Sequence, residues 1–247
     1  MDSQQHEHRQ LESVQHAPAS FPKAPQAPQS PNHHAPSWLG GARVLPILTL
    51  AERSTAADVA RALLAGGVSA FEIVLRTPDA LDAIHDIRRW VPEVTVGAGT
   101  LLSAADVQRA IEAGAQFGVT PGLTPELAQA AVRARWPLLP GVHSASEVMQ
   151  AMAYGFDVLK LFPAHGLQGA AQIEQLQGVF PRLRFCPTGG IKPEHIPRYL
   201  ALPGCLAVGG SWVAPADRIA ARDYAAITAL ARQAAAFALK PAAASPA

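Results

Sequence analysis

A chain of 247 residues, 49% hydrophobic and with a formal net charge of +1, can bury one large core and has the length of a single α/β barrel. The near-neutral charge gives no footprint for nucleic acid or an acidic membrane surface, and no run approaches the roughly 20 apolar residues of a membrane span. Two cysteines, Cys186 and Cys205, cannot build a disulfide framework; set in apolar runs, they read as buried thiols of a reducing cytosol.

Residues 1–40 are rich in Gln, His, Pro, Ala and Ser, with almost no aliphatic periodicity. Such a segment buries too little surface to offset its ordering entropy, so a disordered extension is expected. Its start, MDSQQHEHRQLESVQ, lacks the apolar h-region of a secretory signal, which makes the expected location cytoplasmic. The histidines here (His6, His8, His16, His33, His34) fix no coordination geometry, and no metal is expected. The folded domain is expected over 41–240, followed by a frayed tail at 241–247.

From residue 43 onward, short apolar runs alternate with amphipathic stretches. Strands are predicted at 43–49, 69–75, 94–98, 116–119, 136–139, 157–162, 183–186 and 205–208, recurring at the length of one βα unit. Thr77-Pro78 and Thr124-Pro125 each offer an N-cap before a proline, and Ser144 with Glu147 fits a capping box. Gly66-Gly67, Gly114 and Gly155 supply helix stops. Eight such units close most simply into a single-domain (β/α)₈ TIM barrel of the α/β class. A doubly wound open sheet is the alternative, but no GxGxxG follows the first strand.

Strand alternation picks out the charged residues. In the second strand Phe71, Ile73 and Leu75 share one face, while Glu72, Val74 and Arg76 share the other. The apolar face should pack on helices, so Glu72 and Arg76 point inward, with Arg76 at the mouth. In the sixth strand Leu159 and Leu161 face out, and Val158, Lys160 and Phe162 face in. A buried charge without a partner costs several kcal/mol, roughly. Lys160 and Glu72 therefore either pair with each other or share a task. The task would be an amine nucleophile with a carboxyl that moves protons. Binding phosphate as a point charge is a further possibility for Lys160.

Two glycine loops bear on that choice. Thr188-Gly189-Gly190 follows the seventh strand and Gly209-Gly210-Ser211 the eighth, the loops with which barrel enzymes often hold phosphate. Amides at Gly189, Gly190 and Gly210, with the Ser211 hydroxyl, would free Lys160 for covalent work. Gly97-Ala98-Gly99-Thr100 closes the third strand, either as a tight turn or as a carboxylate site in which Thr100 assists the fork of Arg76. Thr120-Pro121-Gly122 and Pro140-Gly141 read equally as pocket wall or as turns.

Six segments, FEIVLRT (71–77), VGAGT (96–100), TPGLT (120–124), LKLFPA (159–164), FCPTGGI (185–191) and VGGSW (208–212), together resemble the motifs of 2-keto-3-deoxy-6-phosphogluconate (KDPG) aldolase. That family of class I aldolases from the Entner–Doudoroff pathway is often also active on 4-hydroxy-2-oxoglutarate (KHG). The resemblance runs in order from about Val44 to about Ala236. It implies Lys160 as the Schiff-base lysine, Glu72 as acid/base, and Arg76 with Thr100 on the pyruvate carboxylate. It further implies Gly189, Gly190 and Ser211 in the phosphate loops, Pro121 and Phe162 in the pocket wall, a homotrimer, and neither metal nor cofactor. The implied partners are a phosphorylated 2-keto acid and pyruvate.

The chain departs from the pattern at three points. Val74 stands where a threonine is expected, His165 follows Pro163-Ala164 where an acidic residue is common, and His143 replaces a small hydroxyl residue. All three concern how the far part of the substrate is read. Two rival functions stay open: an aldolase for the galactonate epimer, 2-dehydro-3-deoxy-6-phosphogalactonate, and a non-catalytic phosphosugar-binding barrel in which Lys160 only pairs with Glu72.

Overall fold

The computed structural model describes residues 36–238. The N-terminal histidines and the 241–247 tail lie outside the described residues. Strands and helices alternate as the periodicity predicts. The strands are β1 (Val44–Leu48), β2 (Ala70–Val74), β3 (Thr95–Gly99), β4 (Gly118–Val119), β5 (Leu138–Leu139), β6 (Gly141–Val142), β7 (Val158–Leu161), β8 (Arg184–Pro187) and β9 (Val208–Gly210). The helices are α1 (Ala56–Ala65), α2 (Ala80–Trp90), α3 (Ala104–Glu112), α4 (Pro125–Ala134), α5 (Ala145–Ala153), α6 (Gln168–Val179), α7 (Ile196–Leu200), α8 (Ala216–Ala220) and α9 (Tyr224–Ala235).

All the strand pairs are parallel. They form a six-stranded sheet in the order β5-β4-β3-β2-β1-β9 and a three-stranded sheet β6-β7-β8. The fold is thus α/β with a curled parallel sheet. The strand expected at 136–139 is confined to Leu138–Leu139 and a second short strand, Gly141–Val142, follows Pro140, where the chain changes partner from β4 on one side to β7 on the other. Proline has no N–H for a ladder, which makes it a natural break. The last strand also differs from expectation. Cys205 makes only a single bridge to Phe185, because its N–H donates back to Leu202 O at 3.0 Å in a turn. The regular strand therefore begins at Val208 and takes in Gly209 and Gly210, which the sequence places in a loop.

Most helix signals are realised. Thr124 caps α4 with Pro125 behind it, and Ser144 and Glu147 form the reciprocal capping box of α5. Gly67, Gly114 and Gly155 adopt φ of +88°, +88° and +87°, the left-handed turn that glycine makes without strain. Thr77 does not cap: α2 begins at Ala80, and the Thr77 hydroxyl instead donates to Leu50 O at 2.6 Å. Gly66 is not left-handed either; a Cβ there would lie 2.3 Å from Ala231 Cβ on α9, so it is small to let α1 and α9 touch.

The core has two parts. Between sheet and helices lie Phe71, Ile73, Leu159, Leu161 and Phe185. Inside the curl, Leu39, Leu45, Phe117, Val119, Leu139, Cys186 and Ala207 form a second cluster. The 3₁₀ turn Ser37–Leu39 seals this interior: the Trp38 ring stacks on Phe117 at 4.3 Å and Leu39 is 1% exposed. The packed chain therefore starts ahead of the expected boundary at residue 41, because two large apolar side chains end the polar stretch. No helix among the described residues is long and apolar enough to cross a membrane.

Candidate active site

Alternation along β2 and β7 sends Glu72 and Lys160 to the inner face. Phe71 and Ile73 flank Glu72, and Leu159 and Leu161 flank Lys160, all within the outer core. Glu72 is 1% exposed and Lys160 7%. Small residues make the space: a Cβ on Gly99 would stand 2.9 Å from the Glu72 Cδ and Oε2. Gly141 is the register partner of Lys160, and a Cβ there would stand 2.3 Å from the backbone of Pro121. The Pro121 loop therefore passes close beside the lysine strand. Thr120, fully buried, holds that approach by accepting the Gly141 N–H at 3.1 Å.

Glu72 and Lys160 do not form a salt bridge: no contact within 4.0 Å joins them. Glu72 Oε2 is buried without a hydrogen-bond partner. Burial pushes the Glu72 carboxyl above the ordinary carboxylate range, and the charges of Lys160 and Arg76 pull it partly back. A carboxyl so placed is suited to hold and pass a proton. The Lys160 Nζ lies 5.0 Å from the centre of the half-buried Phe162 ring. The Phe162–Pro163 peptide is cis.

Arg76 and Thr100 emerge side by side, since the β2–β3 ladder continues through the Leu75 N–H to Gly99 O bond of 2.9 Å. Arg76 is exposed at the mouth. Thr100 has φ of +59°, a left-handed conformation that costs a β-branched residue about 1–3 kcal/mol. The Arg76 loop and α2 behind it are tied to the 3₁₀ turn Arg53–Thr55 after β1: the Arg53 N–H donates to Asp79 at 3.0 Å, and its guanidinium grips Asp86 of α2 at 2.5 and 2.7 Å.

The two glycine loops are neighbours through the Thr188–Gly209 bridge. Gly189 and Gly190 adopt φ of +111° and +67°, and no acceptor among the described residues takes their N–H groups. Ser211 is exposed at the start of the 3₁₀ turn Ser211–Val213. Gly210, expected in the same loop, ends β9 instead.

Thr188 is the inward residue that strand reading overlooks. It follows Cys186 on the same face of the chain, is buried, and its Oγ1 occupies the space a Gly209 Cβ would need, at 2.3 Å. The signal lay in extending the alternation of β8 two residues past Cys186. His143 and His165 are exposed on adjacent loops, ring centres 6.4 Å apart. Val74 is buried and its Cγ1 lies against Gly99. Among the described residues no three His, Cys, Asp or Glu side chains cluster as metal ligands.

The profile of a family described as KDPG and KHG aldolase matches residues 36–230. The KHG/KDPG aldolase of Escherichia coli K12 is 46% identical over 200 residues, covering 81% of this chain and 94% of that protein. The crystal structure of a KDPG aldolase from Zymomonas mobilis ZM4 with 3-phosphoglycerate superposes with a TM-score of 0.77 at 46% identity, covering 81% of this chain and 94% of the other. A Legionella pneumophila KDPG aldolase, with pyruvate captured at low pH as a covalent carbinolamine intermediate, also gives 0.77 at 35% identity, covering 82% and 97%.

Proposed function

The chain belongs to the KDPG and KHG aldolase family, and we propose from that premise that it is a Schiff-base aldolase. It cleaves 2-keto-3-deoxy-6-phosphogluconate to pyruvate and D-glyceraldehyde 3-phosphate, and 4-hydroxy-2-oxoglutarate to pyruvate and glyoxylate. The observation that carries this reading is a buried carboxyl, Glu72, left unpaired in one interior with the Lys160 amine. Two charges kept for stability alone would pair.

In the reaction, the Lys160 amine attacks C2 of the keto acid and forms a carbinolamine. Glu72 protonates the departing hydroxyl, water leaves, and an iminium remains. Glu72, left as the carboxylate, takes the C4 hydroxyl proton and the C3–C4 bond breaks; its electron pair flows to the iminium nitrogen, the aldehyde leaves, and an enamine stays on Lys160. A proton returned to C3 and hydrolysis of the imine release pyruvate and the free amine. Arg76 and Thr100 hold the carboxylate, and Pro121 and Phe162 wall the pocket. The Gly189 and Gly190 amides, with Gly210 and Ser211, receive the phosphate. Fixing both ends of the substrate supplies several kcal/mol of positioning, roughly.

The curled sheet is read as a closed (β/α)₈ barrel, with β5 and β6 as halves of one strand. The partner change at Pro140 and the single bridges from Phe185 to Cys205 and from Thr188 to Gly209 of β9 support this. A homotrimer follows from the resemblance, and the two free, buried cysteines are in keeping with a reducing cytoplasm.

The deciding experiment is reduction with borohydride in the presence of pyruvate, followed by peptide mass spectrometry. The expected result is an irreversible adduct on the peptide holding Lys160. An adduct on another lysine, or none, would overturn the assignment.

A further inference from the structure

The loops after β6 and β7 carry two histidines that the mechanism does not use. His143 and His165 meet edge to face, with ring centres 6.4 Å apart, and both side chains are exposed. Exposed side chains are ordinarily mounted on yielding backbone; these are not. The His143 N–H donates to Glu147 Oε2 at 2.6 Å, and the Gln172 side chain of α6 donates to its carbonyl. His165 sits in a left-handed turn, φ +47°, followed by Gly166 at +67°. That turn is pinned from below by the fully buried Tyr199, whose hydroxyl donates to Gly166 O.

The same turn lies along the first glycine loop. The Ala164 N–H donates to Thr188 O at 2.8 Å and the Gly166 N–H to Gly189 O at 3.3 Å. A Cβ on Gly190 would come within 3.3 Å of Gly166 N and 4.0 Å of the His165 carbonyl carbon. His165 thus borders the free amides of Gly189 and Gly190, and His143 faces His165. No hydrogen bond engages either imidazole among the described residues.

Lys192 follows the glycine loop and brings a positive charge to this end, offset by Glu194 two residues on. The His195 ring stands 3.6 Å from where a Gly166 Cβ would be, and its Nδ1 accepts the Lys192 N–H. The Glu147 carboxylate beside His143 is occupied by the N–H groups of His143 and Ser144.

We propose that His143 and His165 form a recognition rim for the phosphate end of the substrate, completing from the open side what the Gly189–Gly190 amides begin. The inference rests on the aldolase reading above and names the residues that set its preference for a phosphorylated over an unphosphorylated 2-keto acid. Both imidazoles offer N–H donors to the phosphate oxygens, and hydrogen bonds to a charged group are the stronger kind.

The test uses His143→Asn, His165→Asn and the double variant of the full chain, each checked for an unchanged melting temperature. Substrates are 2-keto-3-deoxy-6-phosphogluconate and its unphosphorylated analogue, with inorganic phosphate as inhibitor. In the double variant, KM for the phosphorylated acid and the inhibition constant of phosphate both rise about tenfold, while kcat/KM for the analogue moves less than about twofold. An equal loss on both substrates, or no change in either phosphate readout, overturns the rim. Should the wild type cleave neither acid, the aldolase reading fails separately. Direct titration with inorganic phosphate then decides the rim, supported by weaker binding in the double variant and overturned by equal binding.

Discussion

Glu72 and Lys160 share the interior of the curled sheet, yet no ion pair joins them and Glu72 Oε2 has no hydrogen-bond partner. A carboxylate in that position bears a desolvation cost that nothing in the resting protein fully offsets. The proposed aldolase role accounts for the arrangement: a keto acid in the gap would set its C2 oxygen and hydroxyls between an amine and a proton carrier.

Replacing Glu72 by Gln separates chemistry from stability. Turnover should fall by about 10²–10⁴-fold, the range for loss of a general acid/base. Stability should move the other way. The folded carboxyl titrates above its unfolded value, so wild-type stability falls as pH rises through the window between the two and is fully reduced above the folded value. The variant has no such group. Its melting temperature relative to wild type should therefore climb as pH rises from the ordinary carboxylate range through the raised folded value. A flat difference across that range would mean that Glu72 does not bear this cost.

Two glycine-to-alanine changes should have opposite phenotypes. At Gly99 the new methyl meets the far end of Glu72 at 2.9 Å, and a flexible side chain can swing aside. The fold should survive while kcat drops roughly 10²-fold, since acid/base groups tolerate little displacement. At Gly66 the methyl meets Thr228 O at 2.7 Å and Ala231 Cβ at 2.3 Å, and neither can turn away. That variant should lose about 1–3 kcal/mol of stability and keep its turnover per folded molecule. Denaturation curves with active-site titration read both.

Legibility in the sequence followed the range of the interactions. The faces of β2 and β7 were plain, because period-two alternation is local and the apolar neighbours of Glu72 and Lys160 are large. The cap of α5 was equally plain, both of its partners lying within four residues. What escaped depended on distant partners. Thr77 gives up its capping role to Leu50 O, 27 residues away. Gly209 is a strand residue because it pairs with Leu45 of β1, far back along the chain. Trp38 and Leu39 looked like the end of a polar extension because Phe117, on which Trp38 stacks, lies far along the chain.

Leu39 offers a test of how the interior is sealed. It is 1% exposed and belongs to the inner cluster with Leu45, Phe117 and Leu139. Leu39→Ala should cost about 2–5 kcal/mol, as for other fully buried leucines. KM and kcat of the folded fraction should stay unchanged, because this seal closes the end of the curl opposite the glycine loops. A change in KM at constant stability would place the 3₁₀ turn in contact with the site.

Arg53 should matter to substrate binding without touching substrate. Its N–H holds Asp79 and its guanidinium holds Asp86, with Asp82 at 3.4 Å. The Thr77 hydroxyl ties the same two loops through Leu50 O. Arg76 lies between these ties and β2, so they aim the guanidinium proposed to hold the substrate carboxylate. Arg53→Ala removes the guanidinium ties and leaves Arg76 itself intact. KM for pyruvate-bearing substrates should then rise roughly three- to tenfold while kcat changes little, because misplacement weakens a grip made equally in ground and transition states. Arg53→Lys should rescue only in part, since a lysine cannot make the two-pronged contact with Asp86. If kcat falls and KM holds, the loop tie acts on the chemistry at Lys160 and not on the grip of Arg76.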